Sequence, residues 1–132
     1  MFHPWRALRG LTDITLHWTR EPGLLGATDG LTVIYMHPDQ SQRQRRSTLT
    51  HELAHITLGH SQGCNPHDER AADLLAAHWL IPIDRLIEAL RWSDQLEEIA
   101  DELWVDLATL KTRLTRLTCD EKLIIKYALG ED

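Results

Sequence analysis

The sequence predicts an α+β domain in which strands come first and helices follow. Three observations carry this expectation: short runs rich in β-forming residues lie before position 38, helical spacing of apolar residues governs most of the chain after position 41, and turn or capping residues separate the helical stretches. At 132 residues and 42% hydrophobic composition the chain can bury one real core, so residues 1–132 are read as a single domain.

The elements follow in order. DITLHWT, residues 13–19, sets Ile14, Leu16 and Trp18 on one face, as a half-buried strand does. LTVIYMH, residues 31–37, is rich in β-formers and is preceded by the turn residues GATDG. Together they predict a small antiparallel or mixed sheet of two or three strands, with the linking EPGLLGATDG as loop. From Ser41 to His60 the spacing of Leu49, Leu53 and Ile56 is helical, and Gly59 stands near a plausible stop. After the loop SQGCNPH, Asp68 is expected to cap a helix to about Leu80, and Pro82 separates it from another over 83–91. Asp94 with Glu97 resembles a capping box for a helix through Leu103, Asp106 can cap one through Leu117, and Thr118 with Glu121 starts the last. Helices over about 94–129 are thus expected to close the domain.

Composition narrows the function. Formal net charge is -6, from 20 acidic against 14 basic residues, so the chain lacks the overall positive field that draws proteins onto nucleic acid or anionic membranes. Cys64 and Cys119 are the only cysteines, which fits a reducing cytosol. MFHPWRALRGLTD has no apolar h-region, and no later run approaches the roughly 18 apolar residues of a membrane span. A cytoplasmic protein without membrane contact is expected.

The chemistry concentrates in LTHELAHITLGH, residues 49–60. On a helix, His51 and His55 stand one turn apart, about 40° around the axis, so both imidazoles can meet one cation, and the spacing suits zinc. Glu52 sits about 100° round from His51, where its carboxylate can take a proton from water without displacing a ligand; that is the place of a general base. Two protein ligands leave a zinc site short of the usual three. His60, Cys64, His67 and Glu69 are the downstream candidates. On a continuing helix His60 would be rotated about 140° from His55, which counts against it. Cys64 and His67 lie in a loop. Glu69 begins a helix with Asp73 one turn later, giving Glu-x-x-x-Asp, and residues 71–81 are apolar nearly all round, so Asp73 is expected to be buried and to accept the Nδ1 proton of a zinc-binding histidine.

HELAHITLGH, the preceding RRSTLT, and ERAADLLAAHWLIP at 69–82 resemble the ImmA/IrrE-like metallopeptidases of bacteria and their phages. The likeness is strong over residues 30–82; Leu75, Ile81 and Ala71 depart from the phenylalanine, methionine and second glutamate frequent in that family. The resemblance implies a zincin fold, Glu69 as the carboxylate matching the family's third zinc ligand, and an intracellular peptidase. It also implies a protein substrate, a helix-turn-helix repressor cleaved or inactivated to derepress phage, mobile-element or stress genes.

On that chemistry Glu52 takes a proton from water and returns it to the departing amine. Tyr35, His37 and His67 are candidates for oxyanion stabilisation or substrate contact. If strand 31–37 forms the sheet edge over the site, it can take an extended substrate by strand addition. Two rival functions remain. EEIADELWVDLATLKTRLTRL, residues 97–117, is patterned like a helix-turn-helix, with Lys111, Arg113 and Arg116 on its second helix; against DNA contact stand Trp104 at the turn and Glu97, Glu98, Asp101 and Glu102 on the first helix. Alternatively the zinc fold sequesters a repressor without cutting it. Arg43, Arg45 and Arg46 are read as a solvated helix start.

Overall fold

The computed structural model describes residues 1–60 and 65–130. A short helix α1 (Pro4–Arg9) leads into strands β1 (Thr15–Trp18), β2 (Gly26–Thr28) and β3 (Val33–Met36). Helices follow: α2 (Gln42–Leu58), α3 (Pro66–Leu80), α4 (Ile83–Trp92), α5 (Leu96–Leu103), α6 (Leu107–Thr115) and α7 (Cys119–Ala128). Strands before helices make this the expected α+β fold. No helix among the described residues is long and apolar enough to cross a membrane.

The sheet is mixed, in the order β1-β3-β2: β1 runs parallel to β3, and β2 antiparallel to it. Two expectations are corrected here. The stretch read as loop contains β2, three residues too short and too rich in small side chains to show a period of two. Strand 31–37 is the middle strand, hydrogen-bonded on both sides, so it has no edge to offer an extended peptide; β2 is the edge strand on the α2 side. Alternation along β3 buries Ile34 and Met36 against Leu49 and Leu53 of α2, with Phe2, Trp5 and Leu8 closing the cluster from the N-terminal segment.

Helix α2 starts at a full capping box: the Ser41 side chain accepts from the Gln44 N–H, and the Gln44 side chain reaches back to the Ser41 N–H. It ends at Gly59, whose φ of 73° is the left-handed conformation that glycine adopts without a Cβ penalty. The next helix is capped not by Asp68, as expected, but by Asn65, with Pro66 in the first turn; Asn65 Oδ1 accepts from the His67 and Asp68 N–H groups. Gln95 rather than Asp94 precedes α5, and the expected Asp94/Glu97 box does not form; the Glu98 carboxylate instead accepts from Ser93 Oγ. Asp106 and Thr118 do cap α6 and α7.

Small residues set the spacing of the two helices that matter most. Ala54 of α2 packs with Ala72 and Ala76 of α3 in a cluster of their own, so the helices approach closely enough for α3 carboxylates to reach α2 histidines. The larger core lies beyond: Leu80, Ile81, Leu86, Ile99, Leu103, Val105 and Leu110 join α3 to α4, α5 and α6. Arg46 is buried rather than solvated, donating to the carbonyls of Trp104 (2.9 Å), Phe2 and Leu103. Arg45 stacks over the Trp18 ring at 5.2 Å, and Arg43 pairs with Asp101 at 3.0 Å. The expected solvated arginine cluster is therefore a set of ties between α2 and its neighbours. Buried carbonyls need donors, and a guanidinium supplies five.

Candidate metal centre

His51 and His55 project from consecutive turns of α2, their Nε2 atoms 3.1 Å apart. The Glu69 carboxylate enters from the first turn of α3, with Oε2 2.9 Å from His51 Nε2 and Oε1 3.2 Å from His55 Nε2. Donor atoms with bonds of about 2.0 Å to one tetrahedral ion stand about 3.3 Å from each other. Separations of 2.9 to 3.2 Å therefore match a shared cation, and two neutral imidazoles with one carboxylate are donor chemistry suited to zinc.

Glu52 lies beside this triangle. One oxygen is 4.0 Å from His51 Nε2, while the other, Oε2, is buried and has no hydrogen-bond partner among the described residues. His51, Glu52 and His55 also form a compact donor group on their own. Glu69 is about an ångström closer to His51 Nε2 than Glu52 is, and it touches both imidazoles. Glu52 is left with a buried oxygen that calls for a water or a substrate atom. Burial raises its carboxyl, and although His51 pulls it down, Glu69 and Asp73 raise it further, to about 7.

Behind His51, its Nδ1 lies 2.8 Å from Asp73 Oδ1. Burial disfavours the charged His51 ring, but the Asp73 hydrogen bond and the charges of Glu52, Asp73 and Glu69 outweigh it and push the imidazole up to about 9 in the metal-free protein. Asp73 is not buried as expected: its side chain is 55% exposed, because the α3 face carrying Asp73 and Leu74 opens onto cavities rather than onto the core. Burial and the His51 charge lower His55 from its ordinary value. Its Nδ1 lies 2.9 Å from His60 Nδ1, a contact that a continuing helix would forbid and that the Gly59 stop creates.

A cleft of about 280 Å³ opens beside His51, Glu52 and Asp73, lined further by Leu25 and Gly26 of the β2 segment, Thr48 of α2, Ala76 of α3, and Asp106, Thr109 and Thr112 at α6. Gly26 is required by the approach of β2 to α2, since a Cβ there would stand 3.4 Å from Glu52 Cγ and closer still to Thr48. The structure brings His51, Glu52, His55, Glu69 and Asp73 together. It does not bring Tyr35 or His37 into the cleft: the Tyr35 ring packs at a tilt against His17 on the sheet face opposite Ile34 and Met36, and His37 Nδ1 accepts from the Asp39 N–H. His67 is exposed and lines the neighbouring cavity with Arg70 and Arg116. Cys64 lies outside the described residues.

The fold and this donor set are those of a metallopeptidase-like domain. A family model described as the IrrE N-terminal-like domain, a peptidase family, matches residues 15–115, and the chain belongs to that family. Neither the curated proteins nor the solved structures give a significant match to the chain.

Proposed function

We propose that the protein is a cytoplasmic zinc-dependent endopeptidase that cuts or inactivates a helix-turn-helix repressor and so derepresses phage, mobile-element or stress genes. The observation that carries the peptidase reading is the convergence of His51 Nε2, His55 Nε2 and Glu69 within 3.2 Å, next to a buried Glu52 oxygen that has no partner among the described residues. The repressor comes from the likeness of HELAHITLGH and ERAADLLAAHWLIP to ImmA/IrrE-like metallopeptidases.

In this reading His51, His55 and Glu69 hold zinc, which when bound acidifies a water molecule and polarises the carbonyl to be attacked. Asp73 Oδ1 accepts from His51 Nδ1–H, which leaves His51 Nε2 as the free donor atom toward the metal. Glu52, whose Oε1 is the oxygen nearer His51 Nε2, takes a proton from water and returns it to the departing amine nitrogen. The half-buried edge strand β2 reaches the cleft at Gly26, where its outer side is the one available to an extended peptide.

The DNA-binding alternative loses its footing on α6. Arg113 is buried, its Nε donating to the Ile81 carbonyl at 2.8 Å and its guanidinium pairing with Glu121, while α6 packs on α3 and walls the cleft. The deciding experiment compares wild type with Glu52→Gln at equal zinc content, measuring cleavage of the partner repressor by mass spectrometry alongside its binding. A peptidase cuts only as wild type, with a loss of about 10²–10⁴-fold in the variant, while the complex survives. Relief of repression with the partner intact, equal for both proteins, would instead identify a zinc-containing antirepressor.

A further inference from the structure

His55 differs from His51 in what stands behind it. Where His51 is backed directly by a carboxylate, the rear nitrogen of His55 meets a second imidazole, His60 Nδ1 at 2.9 Å, with the rings at 63° and 5.1 Å between centroids. The far nitrogen of that imidazole, His60 Nε2, lies 3.4 Å from Asp68 Oδ1 in the first turn of α3. Gly59 makes the arrangement possible: its left-handed backbone ends α2, the His60 N–H returns to the His55 carbonyl at 3.0 Å, and the His60 ring folds back against His55. The ring is largely enclosed, at 14% exposure.

With His55 Nε2 kept free for a cation and both rings neutral, proton bookkeeping along this row has one solution. For His55 Nε2 to offer a lone pair to a cation, the His55 proton must sit on Nδ1, which then donates to His60 Nδ1. His60 must therefore carry its own proton on Nε2, facing a carboxylate that can only accept. Every nitrogen and oxygen in the row then has a role compatible with its neighbour, whereas the reverse assignment puts the proton on His55 Nε2 and leaves no lone pair there for a cation.

We infer that His60 is a positioning residue for the metal centre, fixing the tautomer and ring angle of His55, and that Asp68 acts through His60. The inference rests on His51, His55 and Glu69 being zinc ligands. Partners of this kind typically change metal affinity by about 10–100-fold. His60→Leu keeps the bulk but removes the acceptor, whereas His60→Asn places an amide oxygen near the former Nδ1.

The test measures zinc affinity by competition with a chromophoric chelator, with the visible absorption of the cobalt-substituted protein as a second readout. His60→Leu is expected to bind zinc about 10–100-fold more weakly and to alter the cobalt spectrum, with most of the affinity restored in His60→Asn. Asp68→Ala should weaken binding in the same direction, and adding it to His60→Leu should cost nothing further, because the two act in series. Wild-type affinity in His60→Leu, or independent and additive losses from the two sites, overturns the inference. If His60→Leu does not fold, the contrast between His60→Asn and Asp68→Ala decides it: undiminished affinity in Asp68→Ala counts against the row. Should wild type bind no zinc, or His51→Ala and His55→Ala leave binding intact, it is the metal-centre reading that falls, and this inference with it.

Discussion

Gly26 of β2 approaches Thr48 of α2 so closely that a Cβ at Gly26 would meet Thr48 Cγ2 at 2.5 Å. The threonine has little freedom to give way, since its hydroxyl donates to Gln40 Oε1 at 2.7 Å. Gly26→Ala should therefore force β2 away from α2 and destabilise the protein by about 1–3 kcal/mol, read as a lowered denaturant midpoint. An unchanged midpoint would mean that the strand does not sit this close to the helix.

Glu52 and Glu69 compete for the description of third ligand, and zinc content separates them. Metal analysis after gel filtration should find about one zinc per chain in wild type and Glu52→Gln, with reduced occupancy in His51→Ala, His55→Ala and Glu69→Ala. Full zinc in Glu69→Ala, with loss in Glu52→Gln, would reverse the assignment.

Arg113 and Glu121 form a largely enclosed pair joining α6 to α7. Removing the guanidinium in Arg113→Met leaves the Glu121 carboxylate and the Ile81 carbonyl short of donors and should cost about 3 kcal/mol in urea unfolding. The Arg113 hydrogen bond holds the Glu121 carboxyl down at about 2. The sign follows: the group's contribution to stability is complete above its ordinary value of 4.5 and disappears as pH falls through about 2. Glu121→Gln should flatten the acid limb of the stability profile; an unchanged limb would contradict the pairing.

Trp104 carries φ of 59° at the turn between α5 and α6, a left-handed conformation rare for a bulky side chain. Comparing Trp104→Gly with Trp104→Ala isolates the backbone cost, since both lose the indole. The glycine variant should be more stable by about 1 kcal/mol, and equal stability would mean that the turn relaxes.

Much of the donor cluster can be read from periodicity alone. Positions four apart on a helix share a face, which places His51 with His55, and Glu69 with Asp73, before any tertiary contact is known. What periodicity does not contain is the approach of the two helices, which depends on Ala54, Ala72 and Ala76 meeting across the interface. Charge misleads for a related reason: Arg46 and Arg113 look like surface residues, yet each is buried because carbonyls left by distant turns need its donors. A helix continued past Gly59 would carry His60 away from His55, whereas the left-handed glycine ends the helix and folds that ring back. The wall formed by Thr109 and Thr112 is purely tertiary and leaves no mark in the sequence.

The order in which these parts leave the ribosome differs from the order in which they serve the site. All three proposed donors lie within the stretch from 51 to 69, so a nascent chain holds the full ligand set long before α6 exists. Thr109 and Thr112, which complete the cleft, are synthesised some forty residues later and must fold back onto α3. Capture of a metal by these proposed donors would therefore be a short-range event able to organise the early chain, while the cleft is a long-range product that waits for the C-terminal helices. A chain still being made could hold its ion before it has a finished groove in which to seat another protein.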